Sequence, residues 1–322
     1  VASLYLLVAQ VESSPPSGNA YLNVVELLTA FSGKSAEQYE PFFRFSDETR
    51  IVGVEIHAAG TDDTDARYYA GTEVWKQINN ILRITTADGF EGISGVVSEH
   101  QGEFSEEHLL ELQSVIADLL ALRSFDPVEV GAILEKTRPD LSDASRASID
   151  IALWDLAARR AGLPLYEMLG AKRNSIEPYA SLPFYDSLPE YVKAVKEYAK
   201  LGYRIFKFHV WGQIEEDSKL VKMIHQTFTD SPYRFMMDLE GAYGFEDALR
   251  LGKEMDECLF IWFEGPIDDG LLEQYRELRN RLGIPIIPAG YNIYSPEFIR
   301  QGIKTGSWDA GRFDATTIGG IS

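Results

Sequence analysis

The sequence has little cysteine, little positive charge and no long apolar run. Its single cysteine, Cys258, cannot form an intramolecular disulfide, which is typical of a reducing compartment, so we expect a cytoplasmic protein. No stretch of about 20 apolar residues is present to span a bilayer. The 30 basic residues are outnumbered by 50 acidic ones, giving a formal charge of −20. A nucleic acid or an anionic membrane would be repelled, so we expect neither as a partner.

The pattern of the sequence predicts three segments. Residues 1–50 form an N-terminal extension to which the pattern assigns no role, although the apolar residues 1–11 favour a core strand over a signal peptide. Residues 51–172 form a segment of α+β type, and residues 173–322 form a segment of alternating strands and helices. The resemblance described below implies that these are a capping domain and a barrel domain.

Strands come before helices in the predicted capping domain. Residues 51–56 read as a strand and residues 81–97 as a hairpin. An amphipathic helix is expected over 106–122. A second helix over 142–161 has Ser142 as its N-cap and Gly162 just past its end.

In the third segment short apolar strands alternate with helices, which indicates an α/β fold with a buried parallel sheet. Alternation fits both a closed barrel and an open doubly wound sheet. No Gly-x-Gly-x-x-Gly follows the first strand, which weakens the dinucleotide-binding version. The predicted strands are 178–182, 204–210, 234–239, 260–264, 284–289 and 310–315, and the predicted helices are 189–200, 215–228, 246–257, 271–282 and 296–305.

Polar side chains stand at the ends of these apolar strands, where a parallel barrel places its catalytic groups. Carboxylates from adjacent strands can converge on one hard cation such as Mg²⁺. A lysine or histidine beside them could remove the proton next to a substrate carboxylate. The residues concerned are Lys207, His209, Asp238, Glu240, Glu264 and Asp314.

Each of these residues also has a purely structural interpretation. Asp238 could cap the following loop, Lys207 could be a partly solvated lysine at a strand end, and His209 could be a hydrogen-bonded packing residue. Glu264 ends a run of five hydrophobic residues, where a carboxylate needs a partner. The ordered array is harder to explain by packing than any single member.

Several motifs resemble the mandelate racemase branch of the enolase superfamily, over roughly residues 51–322. The motifs are Ala147-Ser-Ile-Asp-Ile-Ala-Leu-Trp-Asp-Leu-Ala157, Lys207-Phe-His209, Asp238 with Gly241-Ala-Tyr, Trp262-Phe-Glu-Gly-Pro266 and Asp314-Ala-Thr-Thr-Ile-Gly-Gly-Ile321. Enolase-superfamily sites use a lysine or histidine base with one or two Mg²⁺ ions. The resemblance implies a capping domain with a modified (β/α) TIM barrel, in which Asp238 and Glu264 are the first two Mg²⁺ ligands.

The chain departs from the family pattern at three places. The third acidic ligand is replaced by Tyr291, for which Asn292 or Glu240 could compensate; Tyr291 and Asn292 are also candidate substrate contacts. His209 replaces the second lysine and can still serve as the base. Asp314 resembles an aspartate that orients a histidine on the next strand, but every histidine lies upstream. Either a C-terminal segment is missing from the sequence, or the protein lacks the second base and an intact barrel. We favour the missing segment and expect a barrel truncated at its C-terminal end.

The resemblance implies a reaction on a small carboxylate-bearing substrate, often a sugar acid, through a metal-stabilised enolate. We expect a lyase of the sugar-acid dehydratase type. A racemase, epimerase or cycloisomerase with the same chemistry is the first alternative. The second is a catalytically degenerate barrel with a binding or structural role, suggested by Tyr291. Related barrels also lead us to expect a homo-oligomer.

Overall fold

The structure is a computed structural model that describes residues 43–60, 78–98, 106–171, 173–290, 295–312 and 314–322. Most of the predicted N-terminal extension lies outside these residues. The described chain divides into two compact units. One comprises residues up to 176 together with 315–322, and the other comprises 177–314.

The first unit contains a three-stranded antiparallel sheet in the order β1-β2-β3. Its strands are β1 (Ile51–Gly60), β2 (Ile78–Thr86) and β3 (Glu91–Ser98). A tight turn joins β2 to β3, with the amide of Gly89 donating to the carbonyl of Thr86 at 2.9 Å. The predicted hairpin is therefore confirmed.

Five helices follow in this unit. They are α1 (Glu106–Ser114), α2 (Ile116–Ala121), α3 (Pro127–Thr137), α4 (Asp143–Ala161) and α5 (Leu165–Met168). Helix α4 begins where predicted, because the Ser142 hydroxyl accepts from the amide of Ser145 at 3.3 Å. It ends where Gly162 adopts a left-handed conformation with φ of 64°.

Two helix predictions in this unit need correction. The single helix expected over 106–122 is wrong, because the amide of Val115 donates to Leu112, three residues back, and interrupts the ladder between α1 and α2. Helix α3 was not predicted. Its signal is present in the sequence, since the Asp126 carboxylate caps the amides of Val128 and Glu129 and Pro127 occupies the first turn.

Close packing of α4 against β3 requires a glycine. A methyl group at Gly92 would lie 2.0 Å from the carbonyl oxygen of Ala152 and 2.7 Å from the Cβ of Leu156. The buried side chains Leu82 and Ile84 of β2 belong to the same hydrophobic core. The helix motif quoted above thus serves the packing of this unit.

The second unit contains five parallel strands, each paired with the next in chain order. The strands are β4 (Ala180–Leu182), β5 (Ile205–His209), β6 (Arg234–Asp238), β7 (Trp262–Glu264) and β8 (Ile286–Ile287). The helices are α6 (Leu188–Lys200), α7 (Ile214–Phe228), α8 (Phe245–Glu257), α9 (Leu272–Arg281) and α10 (Pro296–Thr305). The predicted α/β alternation is confirmed as far as α10.

The sixth predicted strand, 310–315, is wrong for the residues described there, which adopt no strand conformation. Asp309 gives the physical reason. Its amide donates to the carbonyl of Ile286 at 2.9 Å, but its own carboxylate then accepts the Ile286 amide, also at 2.9 Å. The Asp309 carboxylate thus accepts from an amide of β8 that would otherwise donate to the backbone carbonyl of a neighbouring strand. None of the described helices is long and apolar enough to cross a membrane.

Candidate active site at the carboxyl ends of the strands

Three polar side chains lie in one row across three neighbouring strands. His209 of β5 is in register with Asp238 of β6, which is in register with Glu264 of β7. Side chains alternate across a strand, so the flanking Phe208 and Met237 face the hydrophobic core instead. All three polar side chains are buried. The parallel sheet therefore places His209, Asp238 and Glu264 on one face.

Lys207 lies one layer below this row and connects its two carboxylates. Its ammonium Nζ is 2.5 Å from Oδ2 of Asp238 and 3.1 Å from each carboxylate oxygen of Glu264. The lysine is only 1% exposed. The interpretation of Lys207 as a partly solvated strand-end residue is therefore wrong. Its ammonium group pairs instead with the buried carboxylates of Asp238 and Glu264.

Burial and charge act in opposite directions on the two carboxylates. Burial would raise the pKa of Asp238, but its attraction to the charged Lys207, with smaller contributions from His209 and Arg312, outweighs burial and lowers that pKa to about 2. Burial, helped by the negative charge of Asp238, raises the pKa of Glu264 to about 7. Asp238 is therefore ionised at neutral pH, and Glu264 is the group that exchanges a proton more readily.

The ring of His209 is held in one tautomer. Its Nδ1 is 2.7 Å from the carbonyl oxygen of Leu182, which can only accept, so Nδ1 carries the hydrogen. The other ring nitrogen, Nε2, faces Oδ2 of Asp238 and Oε1 of Glu240, each at 3.5 Å. The backbone carbonyl of His209 accepts from the Tyr191 hydroxyl at 2.7 Å. Nε2 is thus the ring nitrogen that faces the two carboxylates.

Glu240 follows β6 in an unusual backbone conformation. Its φ of 52° lies in the left-handed region, which residues other than glycine adopt at a cost. Its amide donates to Oδ1 of Asp238 at 3.2 Å. Asp238 therefore also caps the following loop, as the structural interpretation of that residue held.

The turn after β7 needs a glycine for the same reason. Gly265 has φ of 51°, and a methyl group there would lie 2.8 Å from the Cβ of Ala289 and 3.2 Å from the amide nitrogen of Glu240. The amide of Gly241 donates to the Gly265 carbonyl at 2.7 Å. These contacts fix the backbone that presents Glu240 and Glu264.

Sequence reasoning missed two residues beside this row. Arg312 Nη1 lies 3.0 Å from Oε1 of Glu264 and also donates to the carbonyl of Ala289. Asp269 accepts from the amides of Ala289 and Gly290, at 2.9 and 2.8 Å. No local pattern marks Arg312, because its partner lies 48 residues earlier in the chain, on β7.

The other predicted site residues are Asp314, Tyr291 and Asn292. Asp314 is exposed, whereas the residues of the row are buried. Tyr291 and Asn292 lie outside the described residues. Their predicted roles as metal or substrate contacts stay predictions.

The donor set of this site suits a hard divalent cation. Asp238 and Glu264 offer buried carboxylate oxygens from adjacent strand ends, and oxygen is the ligand that Mg²⁺ prefers. Oε2 of Glu240 is buried without a hydrogen-bond partner among the described residues, as expected where a cation would complete the charge balance. The residues present therefore fit such an ion.

Comparison with known families identifies the class of protein. Residues 190–322 match the "Enolase C-terminal domain-like" family, and residues 55–170 match the "Mandelate racemase / muconate lactonizing enzyme, N-terminal domain" family. The chain belongs to the enolase superfamily, in the group of mandelate racemase and muconate lactonizing enzymes. The predicted α/β fold, an N-terminal capping domain with a barrel-like parallel-sheet domain, is confirmed.

Individual relatives and solved structures are similar to most of this chain. The chain is 30% identical over 254 residues to L-talarate/galactarate dehydratase of Salmonella typhimurium, covering 75% of this chain and 62% of that protein. Among solved structures, a mandelate racemase/muconate lactonizing-type protein from Pseudovibrio sp. has a TM-score of 0.79 at 29% identity, covering 85% of this chain and 74% of that one. The Salmonella dehydratase, solved with Mg and L-lyxarohydroxamate, gives a TM-score of 0.76 at 27% identity, covering 85% and 73%.

Other relatives include further sugar-acid dehydratases, o-succinylbenzoate synthases, an epimerase and a cycloisomerase. The chain spans about half to two thirds of the length of these curated relatives. These relatives are dehydratases, synthases and isomerases of the superfamily, which supports the prediction that this chain is an enzyme.

Proposed function

We propose that this chain carries out Mg²⁺-dependent removal of the proton next to the carboxylate of a small sugar acid, as a dehydratase. The observation that carries the proposal is the row of His209, Asp238 and Glu264 with Lys207 beneath it. It places a candidate base beside two buried carboxylates and a buried ammonium. The similarity to L-talarate/galactarate dehydratase supports the dehydratase version.

Each side chain has a distinct role in this proposal. Asp238 and Glu264 would hold the ion, which when bound would stabilise the negative charge that develops on the substrate carboxylate. Lys207 is close enough to both carboxylates to add a positive charge at the same place. Nε2 of His209, the ring nitrogen that faces the carboxylates, takes the α-proton.

Dehydration follows from the same residues. When the α-proton moves to Nε2 of His209, the electron pair of the broken C–H bond forms a C=C bond and the C–O bond at the neighbouring carbon breaks. The leaving hydroxide takes up the proton that Nε2 of His209 removed and departs as water, so the ring returns to its starting state. An epimerase would instead return a proton to the α-carbon.

The test combines metal binding with a substrate panel. Calorimetric titration with MgCl₂ should show one site, lost in Asp238→Asn and weakened in Glu264→Gln. Aldonic and aldaric acids should then lose water in the presence of Mg²⁺. Absence of Mg²⁺ binding, together with an Asp238→Asn protein that behaves like the wild type, would contradict the proposal. Deuterium exchange at the α-carbon without loss of water would favour an epimerase.

A degenerate barrel is the second candidate, because Lys207 and Arg312 already place positive charge on Asp238 and Glu264. In such a protein the ion pairs would serve packing only. Tyr291→Glu separates the two candidates. A gain in Mg²⁺ affinity without activity on any sugar acid would favour the degenerate barrel.

A further inference from the structure

Asp269 is a buried carboxylate in the loop that follows β7. Its two oxygens accept from successive backbone amides, those of Ala289 at 2.9 Å and Gly290 at 2.8 Å. The hydroxyl of Tyr275 donates to the same carboxylate at 3.0 Å. Successive amides converge on one anion where the backbone turns, and Gly290 supplies the turn with a left-handed φ of 84°. Asp269 thus fixes the backbone that leaves β8.

Arg312 binds the same backbone segment from the other side. Its Nη1 donates to the carbonyl of Ala289 and lies 3.0 Å from Oε1 of Glu264. Gly290 packs directly on this arginine, because a methyl group there would lie 3.0 Å from the Arg312 carbonyl oxygen and 3.2 Å from its Cγ. Ala289 is therefore held through its amide by Asp269 and through its carbonyl by Arg312.

These contacts close into a ring, because Glu264 ends β7 and Asp269 lies in the loop directly after it. A long arginine side chain loses rotamer freedom when it is held in one geometry, so an acceptor that is itself fixed favours that geometry. Lys207 lies 3.1 Å from both oxygens of Glu264 and does not distinguish them, whereas Arg312 approaches Oε1. The guanidinium therefore decides how the Glu264 carboxylate is turned.

We propose that Asp269 is a positioning residue for the carboxylate of Glu264. It acts through the backbone of Ala289, which keeps the guanidinium of Arg312 on Oε1. One consequence rests on the proposed function: where Glu264 binds Mg²⁺, replacing Asp269 weakens the metal without removing a ligand. Groups that hydrogen-bond to metal-binding side chains typically change metal affinity by about 10–100-fold.

Asp217 provides a matched control. It is also buried, and it accepts from the amides of Trp211 at 2.9 Å and Gln213 at 3.0 Å and from the hydroxyl of Tyr243. These partners lie in the loops after β5 and β6, away from the segment that Arg312 binds. Asparagine at either aspartate keeps the volume but turns one acceptor oxygen into a donor that opposes a backbone N–H. A purely structural role therefore predicts similar effects at both positions.

Calorimetric titration of the whole chain with MgCl₂ tests the consequence for metal binding. We expect Asp269→Asn to weaken Mg²⁺ binding by about tenfold or more, and Asp217→Asn to leave it within about threefold. Arg312→Gln should weaken it to a similar extent, and adding Asp269→Asn to Arg312→Gln should change it further by less than about threefold. Equal weakening by the two aspartate variants, or none by Arg312→Gln, would overturn the inference.

Unfolding in urea without metal tests the orientation of Glu264 independently of Mg²⁺. Residues linked through shared partners show non-additive effects, whereas the effects of distant residues add. Asp269→Asn should lower the folding equilibrium constant by a factor about threefold smaller in Arg312→Gln than in the wild type. Asp217→Asn should have the same effect in both backgrounds within about twofold. Additive effects of Asp269→Asn and Arg312→Gln would contradict the proposal.

Amide hydrogen exchange serves where Asp269→Asn does not fold. In the wild type the amides of Ala289 and Gly290 should be protected, and Arg312→Gln should speed their exchange by about threefold or more without changing that of the amides bound by Asp217. Unprotected amides in the wild type, or equal exchange rates in both proteins, would overturn the inference. A wild-type chain that binds no Mg²⁺ but shows these effects would contradict the proposed function and support the positioning role of Asp269.

Discussion

Replacing Lys207 by methionine removes the buried charge that connects the two carboxylates of the site. Its Nζ contacts Asp238 at 2.5 Å and Glu264 at 3.1 Å, and both acids are 1% exposed. Removing one partner of a buried ion pair costs about 3–5 kcal/mol, because the remaining charge is left uncompensated. We expect Lys207→Met to lose about that much free energy of unfolding in metal-free buffer.

Mg²⁺ should restore part of this loss. An ion present at 100 times its Kd stabilises the folded state by about 2.7 kcal/mol. The variant should gain more from Mg²⁺ than the wild type, because its carboxylates no longer have the ammonium as an alternative partner. Urea unfolding followed by circular dichroism, with and without MgCl₂, measures both effects.

Lys222→Met is the matched control. This exposed lysine lies 3.2 Å from Glu254 at the surface, where an ion pair contributes about 0–1 kcal/mol. A Lys207→Met protein within about 1 kcal/mol of the wild type would refute the reasoning, and so would equal stabilisation of both proteins by Mg²⁺.

Three other predictions concern packing, pH and hydrogen bonding. Gly92→Ala should destabilise the protein by about 3 kcal/mol or more in urea unfolding, because its methyl group would meet a backbone oxygen at 2.0 Å, whereas Gly95→Ala on the same strand has open space and should change little. Burial lowers the pKa of His108, so the folded state binds fewer protons and the unfolding free energy should fall as pH drops below about 6.5. His108→Gln should flatten that slope in melts at pH 7.5 and 5.5, while His57→Gln should leave it; an unchanged slope in His108→Gln would contradict this. Tyr191→Phe should lose about 1–3 kcal/mol of unfolding free energy, since the buried carbonyl that accepts its hydroxyl at 2.7 Å loses its donor, and a loss below about 0.5 kcal/mol would count against it.

Helices and strands whose signals lie within a few neighbouring residues could be predicted from the sequence. The helix after Ser142 was predicted from its cap residues and apolar face, and the parallel strands from short apolar runs between helices. The strand-end rule then brought His209, Asp238 and Glu264 together, because register follows from the parallel sheet.

Features that depend on distant partners could not be read in this way. The pairing of Arg312 with Glu264 joins two places far apart in the chain, and the left-handed conformation of Glu240 depends on its contacts with Asp238 and on the glycines beside it. The strand expected over 310–315 failed because one side chain, that of Asp309, replaced a backbone partner. The apolar residues of 310–315 do not reveal that the Asp309 side chain bonds the β8 backbone in place of another strand.

The central claim is that Nε2 of His209 removes a substrate proton with the help of a metal held beside it. Incorporation of solvent deuterium at the α-carbon of sugar acids, or into their dehydration products, followed by NMR in D₂O, tests this most directly. We predict incorporation that requires Mg²⁺ and that falls by about 10²–10⁴-fold in His209→Asn while Mg²⁺ affinity is retained. Incorporation at the wild-type rate in His209→Asn, or none by the wild type with any sugar acid, would contradict the account.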